Sequence, residues 1–284
     1  MTMTMPRLSY EVFPPRTERG AAALAETMQR LQAMSPTMVS VTYGAGGADK
    51  DKSFAAVELA TQHAGCPVAA HLTCVGVPKR DIDEVVDRYL ALGVRHIVAL
   101  RGDPTEGIDA PYVAHPEGFT TTADLVAAIR ARADAAGIAV TISVSAYPEV
   151  HPQSPTLDHD LEVLSAKVSA GADRAMTQMF FGHDVFADYL AAVRDRGITI
   201  PVIPGIMPVH QIDRVASFAQ RCGASVPDAM MQFFAAASDP HMAAVEWATQ
   251  HITGLQALGL DEFHLYTLNQ ADLVLAIAHR LEQR

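Results

Sequence analysis

The residues with the clearest chemical potential are one carboxylate and a set of polar clusters that follow it along the chain. Glu11 lies within Leu8-Ser9-Tyr10-Glu11-Val12-Phe13-Pro14-Pro15, otherwise a strand-like apolar run. Successive side chains of a strand point to opposite faces, so Ser9, Glu11 and Phe13 share one face and Leu8, Tyr10 and Val12 the other. An ionised carboxylate on a covered face is destabilising by several kcal/mol unless it is paired, hydrogen-bonded or protonated. Two readings follow. Glu11 is either a structural glutamate paired with an arginine, or a carboxyl that keeps its proton near neutral pH and serves as a general acid.

Further polar residues recur where short apolar runs end. They are Thr42-Tyr43-Gly44-Ala45-Gly46-Gly47, His71 with Thr73, Arg101-Gly102-Asp103-Pro104, Tyr147-Pro148-Glu149-Val150-His151-Pro152, Thr177-Gln178 and Tyr266-Thr267-Leu268-Asn269-Gln270. Each also has an ordinary structural reading: the glycines as a tight turn, Arg101 and Asp103 as a mutual ion pair, His71 as a hydrogen-bonded core histidine. Backbone N–H groups of the 44–47 turn can also cradle an anionic group. Lys167 falls on a helical pattern, where a phosphate contact or an exposed charge suits it better than a Schiff base. Other chemistries lack their motifs. There is no G-x-G-x-x-G and no G-x-S-x-G, and the twelve histidines form neither H-x-H nor H-E-x-x-H, so no metal site is expected.

The elements that must position these residues alternate from end to end. Strand patterns fall at 8–13, 38–43, 68–73, 96–100, 140–146, 174–178, 200–204 and 262–268. Helical patterns fall at 21–34, 52–63, 82–92, 122–136, 157–170, 185–196, 212–221 and 271–281. The long connection before the last strand holds two more, at 227–237 and 240–258. Strict alternation implies parallel strands. Eight such units predict a (β/α)8 barrel with additional helices, a doubly wound sheet being the alternative. In such barrels chemistry sits where strands end and loops begin, which is where the polar clusters fall. The Pro- and Gly-rich stretch 102–119 has the composition of a lid.

Composition narrows the class. The chain has 284 residues, 49% of them hydrophobic, with a net charge of -11. The length suits one catalytic barrel domain spanning 1–284. The acidic balance argues against a nucleic acid or anionic membrane as partner. Three separated cysteines without C-x-x-C, no signal-like start and no long apolar run lead to the expectation of a cytoplasmic protein. Exposed apolar helix faces lead to the expectation of a homo-oligomer.

Eight segments in this order resemble the methylenetetrahydrofolate reductase family across nearly the whole chain. They are 9–16 (SYEVFPPR), 39–45 (VSVTYGA), 71–74 (HLTC), 96–103 (HIVALRGD), 146–152 (AYPEVHP), 171–178 (GADRAMTQ), 203–208 (IPGIMP) and 263–269 (FHLYTLN). The resemblance implies an FAD-containing barrel that reduces 5,10-methylenetetrahydrofolate to 5-methyltetrahydrofolate with NAD(P)H, in a ping-pong scheme serving methionine synthesis. It implies Glu11 as the general acid that protonates the leaving amine. Asp103 is implied as a catalytic carboxylate that binds the pterin beside the flavin, and Gln178 as a contact to folate and nicotinamide. Flavin contacts are implied at Thr42, Tyr43, Ala45, His71, Arg101, Gly102, Tyr147, His151, Asp160 and Lys167, with Arg101 and Lys167 suited to the diphosphate and Asp160 to ribose hydroxyls.

The chain departs from the family pattern at three places. Ile212 stands where relatives often have an aromatic that stacks on the nicotinamide. Thr121-Thr122 replaces Tyr-Ala near the adenine, with Thr122 the implied contact. Gln270 stands where some bacterial relatives use arginine against the folate's glutamate. Rival readings are a pterin-binding barrel methyltransferase, a flavin-independent folate reductase, and a folate- or flavin-binding sensor without turnover.

Overall fold

In the computed structural model residues 4–43, 50–104 and 110–284 are described. Strands β1 (Arg7–Val12), β2 (Met38–Val41), β3 (Val68–Thr73), β4 (His96–Leu100), β5 (Thr141–Ala146) and β6 (Arg174–Thr177) pair side by side in sequence order, every pair parallel. The seventh position holds two short pieces, β7 (Val202–Ile203) and β8 (Gly205–Ile206). β7 pairs with β6, β8 pairs with β9 (Glu262–Tyr266), and β9 pairs with β1. The ring therefore closes through the break between β7 and β8, and the fold is a (β/α)8 barrel.

The sequence pattern predicts one continuous strand at 200–204. The break sits at Pro204, which has no N–H to give a ladder. Its carbonyl still accepts from His264 N at 2.9 Å, and Gly205 N donates to the Thr177 hydroxyl at 2.9 Å. Gly205 must be glycine, because a Cβ there would lie 2.2 Å from the Thr177 carbonyl oxygen and 2.4 Å from the Tyr266 hydroxyl.

The helices that cover the barrel are α1 (Glu18–Gln32), α2 (Lys50–His63), α3 (Lys79–Ala91), α4 (Thr122–Ala135), α5 (Leu157–Ser169), α6 (His183–Asp195), α7 (Ile212–Arg221), α8 (Asp228–Ala236), α9 (Pro240–Ala257) and α10 (Ala271–Glu282). Hydroxyl and carboxylate caps start several of them. Thr17 accepts from Gly20 N, which begins α1 three residues before the apolar periodicity does, and Asp239 accepts from two N–H groups of α9. Thr121 and Asp124 form a reciprocal capping box on α4. None of the described helices is long and apolar enough to cross a membrane.

The alternation seen in the sequence divides the strands as expected. Tyr10, Val39, Ala70, Ile97 and Ile142 face the helices in the main core. Met38, Ala69, Val98, Met176 and Ile203, from five strands, meet inside the barrel. Polar groups share that interior: His96 bonds Ser143 Oγ at 2.7 Å, and Arg174 pairs with Glu262.

Three buried histidines are held neutral. Burial pushes His71 down to about 4, and His96 and His251 down to about 3. A histidine whose folded pKa is depressed opposes folding below its unfolded value, because the unfolded chain then binds a proton the native state refuses. Stability should therefore be highest above pH ~6.5 and fall as pH drops toward about 4, by on the order of 1 kcal/mol per histidine per pH unit. Chemical denaturation across that range checks this. His251→Gln should show a shallower slope, and a stability independent of pH would contradict the assignment.

Candidate active site

A cavity of about 610 Å³ opens at the C-terminal ends of the strands. Glu11 lies in its floor, its side chain 12% exposed. Its neighbours come from strands remote in sequence: His71 Nε2 of β3 stands 3.6 Å from Glu11 Oε2, and His264 Nε2 of β9 stands 3.8 Å from the same oxygen. His264 is held in turn by Ser9 Oγ at Nδ1 (2.8 Å) and Ser40 Oγ at Nε2 (3.3 Å). Glu11 is thus neither arginine-paired nor isolated; it belongs to a histidine–serine cluster. This corrects the expectation of a raised pKa. Burial pushes the carboxyl up, but the pull of His264 and of His71 is stronger, and the net direction is down.

The position of Glu11 is set from the opposite edge of the closure. Its carbonyl accepts from Thr267 N at 3.2 Å and from Thr267 Oγ1 at 2.6 Å. Two residues on, Phe13 N donates to Asn269 Oδ1 at 2.8 Å, and Asn269 Nδ2 donates to Phe13 O at 3.1 Å. Asn269 does this with φ of 57°, a left-handed conformation that asparagine tolerates better than most residues.

At the rim, Asp103 is exposed and follows Gly102, whose φ is +84°. A Cβ at Gly102 would also lie 2.6 Å from Val75 and 2.7 Å from Thr73, so glycine is required on both counts. Among the described residues no ion pair joins Arg101 to Asp103. Arg101 instead donates to Gln153 Oε1 at 2.8 Å and lies 5.1 Å from the Tyr112 ring centroid. Gln178, which lines the cavity, accepts from Met179 N at 2.9 Å through its side-chain oxygen. Tyr266 donates to Thr177 O at 2.5 Å, its hydroxyl held well above its ordinary pKa by burial and by Glu11.

Thr42, Tyr43, His71, Arg101, Gly102, Tyr147 and His151 all line this cavity with Glu11, Asp103 and Gln178. Asp160 and Lys167 stand one layer behind. Asp160 accepts from His151 N at 2.8 Å and from the Ser154 hydroxyl, so its oxygens organise the 147–154 loop. Lys167 reaches from α5 to Ser145 O (3.0 Å) and Oγ (3.1 Å). It is buried rather than exposed, and burial lowers it to about 8 against the opposing pull of Asp160.

Two of the expected contacts, Thr122 and Gln270, stand outside the cavity lining. Thr122 is buried in the first turn of α4 and does not line the cavity. Gln270 also stays outside the lining, its amide 3.2 Å from His210 Nε2. Ala45 lies outside the described residues, as do 105–109 of the lid-like stretch. Ile212 packs into a satellite apolar cluster with Met179 and Met207.

The residues present fit an anionic dinucleotide. Lys167 is a buried cation whose hydrogen bonds go to neutral oxygens of Ser145, and His71 Nε2 is buried without a hydrogen-bond partner. Both are unusual unless a ligand completes them.

The methylenetetrahydrofolate reductase family profile matches residues 2–282. The chain belongs to that family. A relative from Pectobacterium carotovorum subsp. carotovorum, named 5,10-methylenetetrahydrofolate reductase, is 36% identical over 98% of this chain and 90% of its own length. A Zea mays relative, named methylenetetrahydrofolate reductase (NADH) 1, is 33% identical over 96% of this chain and 48% of its own length. A solved Clostridium thermocellum structure, described as binding two copies of 5-methyl-5,6,7,8-tetrahydrofolic acid, superposes with a TM-score of 0.67 at 11% identity, covering 98% of this chain and 96% of that one, a likeness of fold.

Sequence reasoning about this reductase-family chain passed over Ser9, Ser40 and His264 as site residues. His264 and Tyr266 follow the same period-two spacing as Ser9 and Glu11, which was the available signal. Asn269 is a second omission, and its role is testable. Asn269→Ala should lower stability by roughly 1–3 kcal/mol, the penalty for leaving the Phe13 amide unsatisfied. Denaturant unfolding checks it, and an unchanged midpoint would show that the clamp is dispensable.

Proposed function

We propose that this protein catalyses the reduction of 5,10-methylenetetrahydrofolate by NAD(P)H, with FAD as its bound cofactor, the two substrates taking turns in one cavity. The balance is NAD(P)H, a proton and methylenetetrahydrofolate giving NAD(P)+ and 5-methyltetrahydrofolate. When bound, FAD supplies the two-electron relay between them. The observation that carries this reading is the placement of Glu11 in the floor of the same cavity that Asp103 and Gln178 line.

The residues divide the remaining work. Opening the imidazolidine ring breaks a C–N bond, and the departing amine must gain a proton. Glu11 supplies it. In the open cavity Glu11 is held below its usual pKa, but His71 is neutral at pH 7 and its pull is then lost. Covering the mouth with ligands removes the remaining water and strengthens the burial effect that already pushes the carboxyl up, so Glu11 takes its proton as the site closes. Asp103 accepts hydrogen bonds from the amino-bearing edge of the pterin, and the Gln178 NH2 donates to the same ligand. Lys167 and Arg101 hold the diphosphate of FAD, while Tyr43 and Tyr147 contribute apolar wall. We read residues 1–284 as one catalytic barrel unit acting in the cytoplasm.

A flavin band near roughly 450 nm in the purified protein, bleached by NADH without oxygen, separates this reading from a methyltransferase or a flavin-independent reductase. Folate-dependent NADH oxidation separates it from a sensor. Glu11→Gln should keep flavin and its bleaching but lose about 10²–10⁴-fold in folate reduction, the usual worth of a general acid. Parental turnover in that variant would remove Glu11 from the mechanism. Lys167→Met, which replaces a buried charge with an apolar chain, should weaken FAD binding about 10-fold or more without unfolding the protein. Equilibrium titration with FAD measures this, and undiminished affinity would refute the diphosphate role.

A further inference from the structure

The outer wall of the cavity includes Phe218 and Arg221 of α7. Phe218 is 43% exposed, and among the described residues its ring has no aromatic or cationic partner. Arg221 is exposed and, among the described residues, makes no ion pair and no side-chain hydrogen bond. The other lining arginine, Arg101, is already engaged with Gln153. Residues three apart on a helix are surface neighbours, about 5–6 Å between Cβ atoms. The two therefore present an uncovered aromatic face and an uncovered guanidinium side by side. Asp103 and Cys222 line the same cavity.

This arrangement matches a ligand that carries an aryl ring linked by one amide to a carboxylate. Resting on the folate reading above, we propose that Phe218 and Arg221 form the subsite for the aminobenzoyl-glutamate tail of the substrate, ring against ring and guanidinium against carboxylate. The reacting pterin must lie deep, beside Glu11, so the tail has to leave by the mouth, where α7 forms the wall. Gln270, the residue the family resemblance nominates for the carboxylate, is turned to His210 and carries no charge. Arg221 supplies that charge from a different element. An aryl face and a guanidinium suit such a tail through stacking and charge-assisted hydrogen bonds.

The test uses flavin-loaded protein and two ligands, 5-methyltetrahydrofolate and the same compound lacking its glutamate. Arg221→Gln should weaken binding of the glutamate-bearing ligand about 5-fold, the upper range for an exposed ion pair, and leave the truncated ligand unaffected. Phe218→Leu should weaken both. Equal losses for the two ligands in Arg221→Gln, no loss in either, or an effect confined to the Michaelis constant for NADH would overturn the assignment. If the parental protein fails to oxidise NADH with methylenetetrahydrofolate, the functional reading itself is refuted; if it turns over and Arg221→Gln is indifferent to the glutamate, only the subsite is.

Discussion

Everything at this site depends on keeping a carboxylate inside a barrel. Such a group is unfavourable without compensation, and here two imidazoles stand within 4 Å of it, His71 held neutral by burial and His264 fixed by serine hydroxyls on both ring nitrogens. The result is a carboxyl under two opposing influences whose net direction is down. Burial drives it toward the protonated form, and the histidines drive it toward the ionised form. The protonation of a carboxyl under such opposing pulls depends on what surrounds it.

The barrel supplies the stiffness this balance needs. Glu11 sits on β1, and its backbone is tied to the segment after β9 by Thr267 and Asn269. That junction lies next to the point where the sheet closes across Pro204. The same place carries Gly205, crowded against Tyr266, whose hydroxyl spans to Thr177. Closure, clamp and cavity floor therefore share one neighbourhood.

The rim behaves differently. Asp103, Arg101 and the 147–154 loop are held by turns and capping contacts, with Gly102 and Asp160 as the fixed points. Lys167, buried behind them, feels the charge of Asp160 but, among the described residues, forms no salt bridge. The cavity thus has an inner region with a buried carboxyl beside two histidines and a rim that carries exposed charge.

Much of this was legible in the chain itself. Period-two and period-3.6 apolar spacing determined the order of strands and helices, the barrel, the face on which Glu11 lies and the strand ends that carry Asp103 and Gln178, because these patterns are set by local backbone geometry. Even the helix starts that shifted, such as α1 at Glu18, had their capping hydroxyl in view at Thr17. Only the folded chain decided which groups would meet. Ser9 touches His264 from 255 positions away, Thr122 and Gln270 turn aside, and Phe218 with Arg221 joins the wall. Distance through space is fixed by closure of the ring, not by separation along the chain. Charge balance depends on that distance, so the direction of the Glu11 pKa followed from tertiary structure and from nothing earlier.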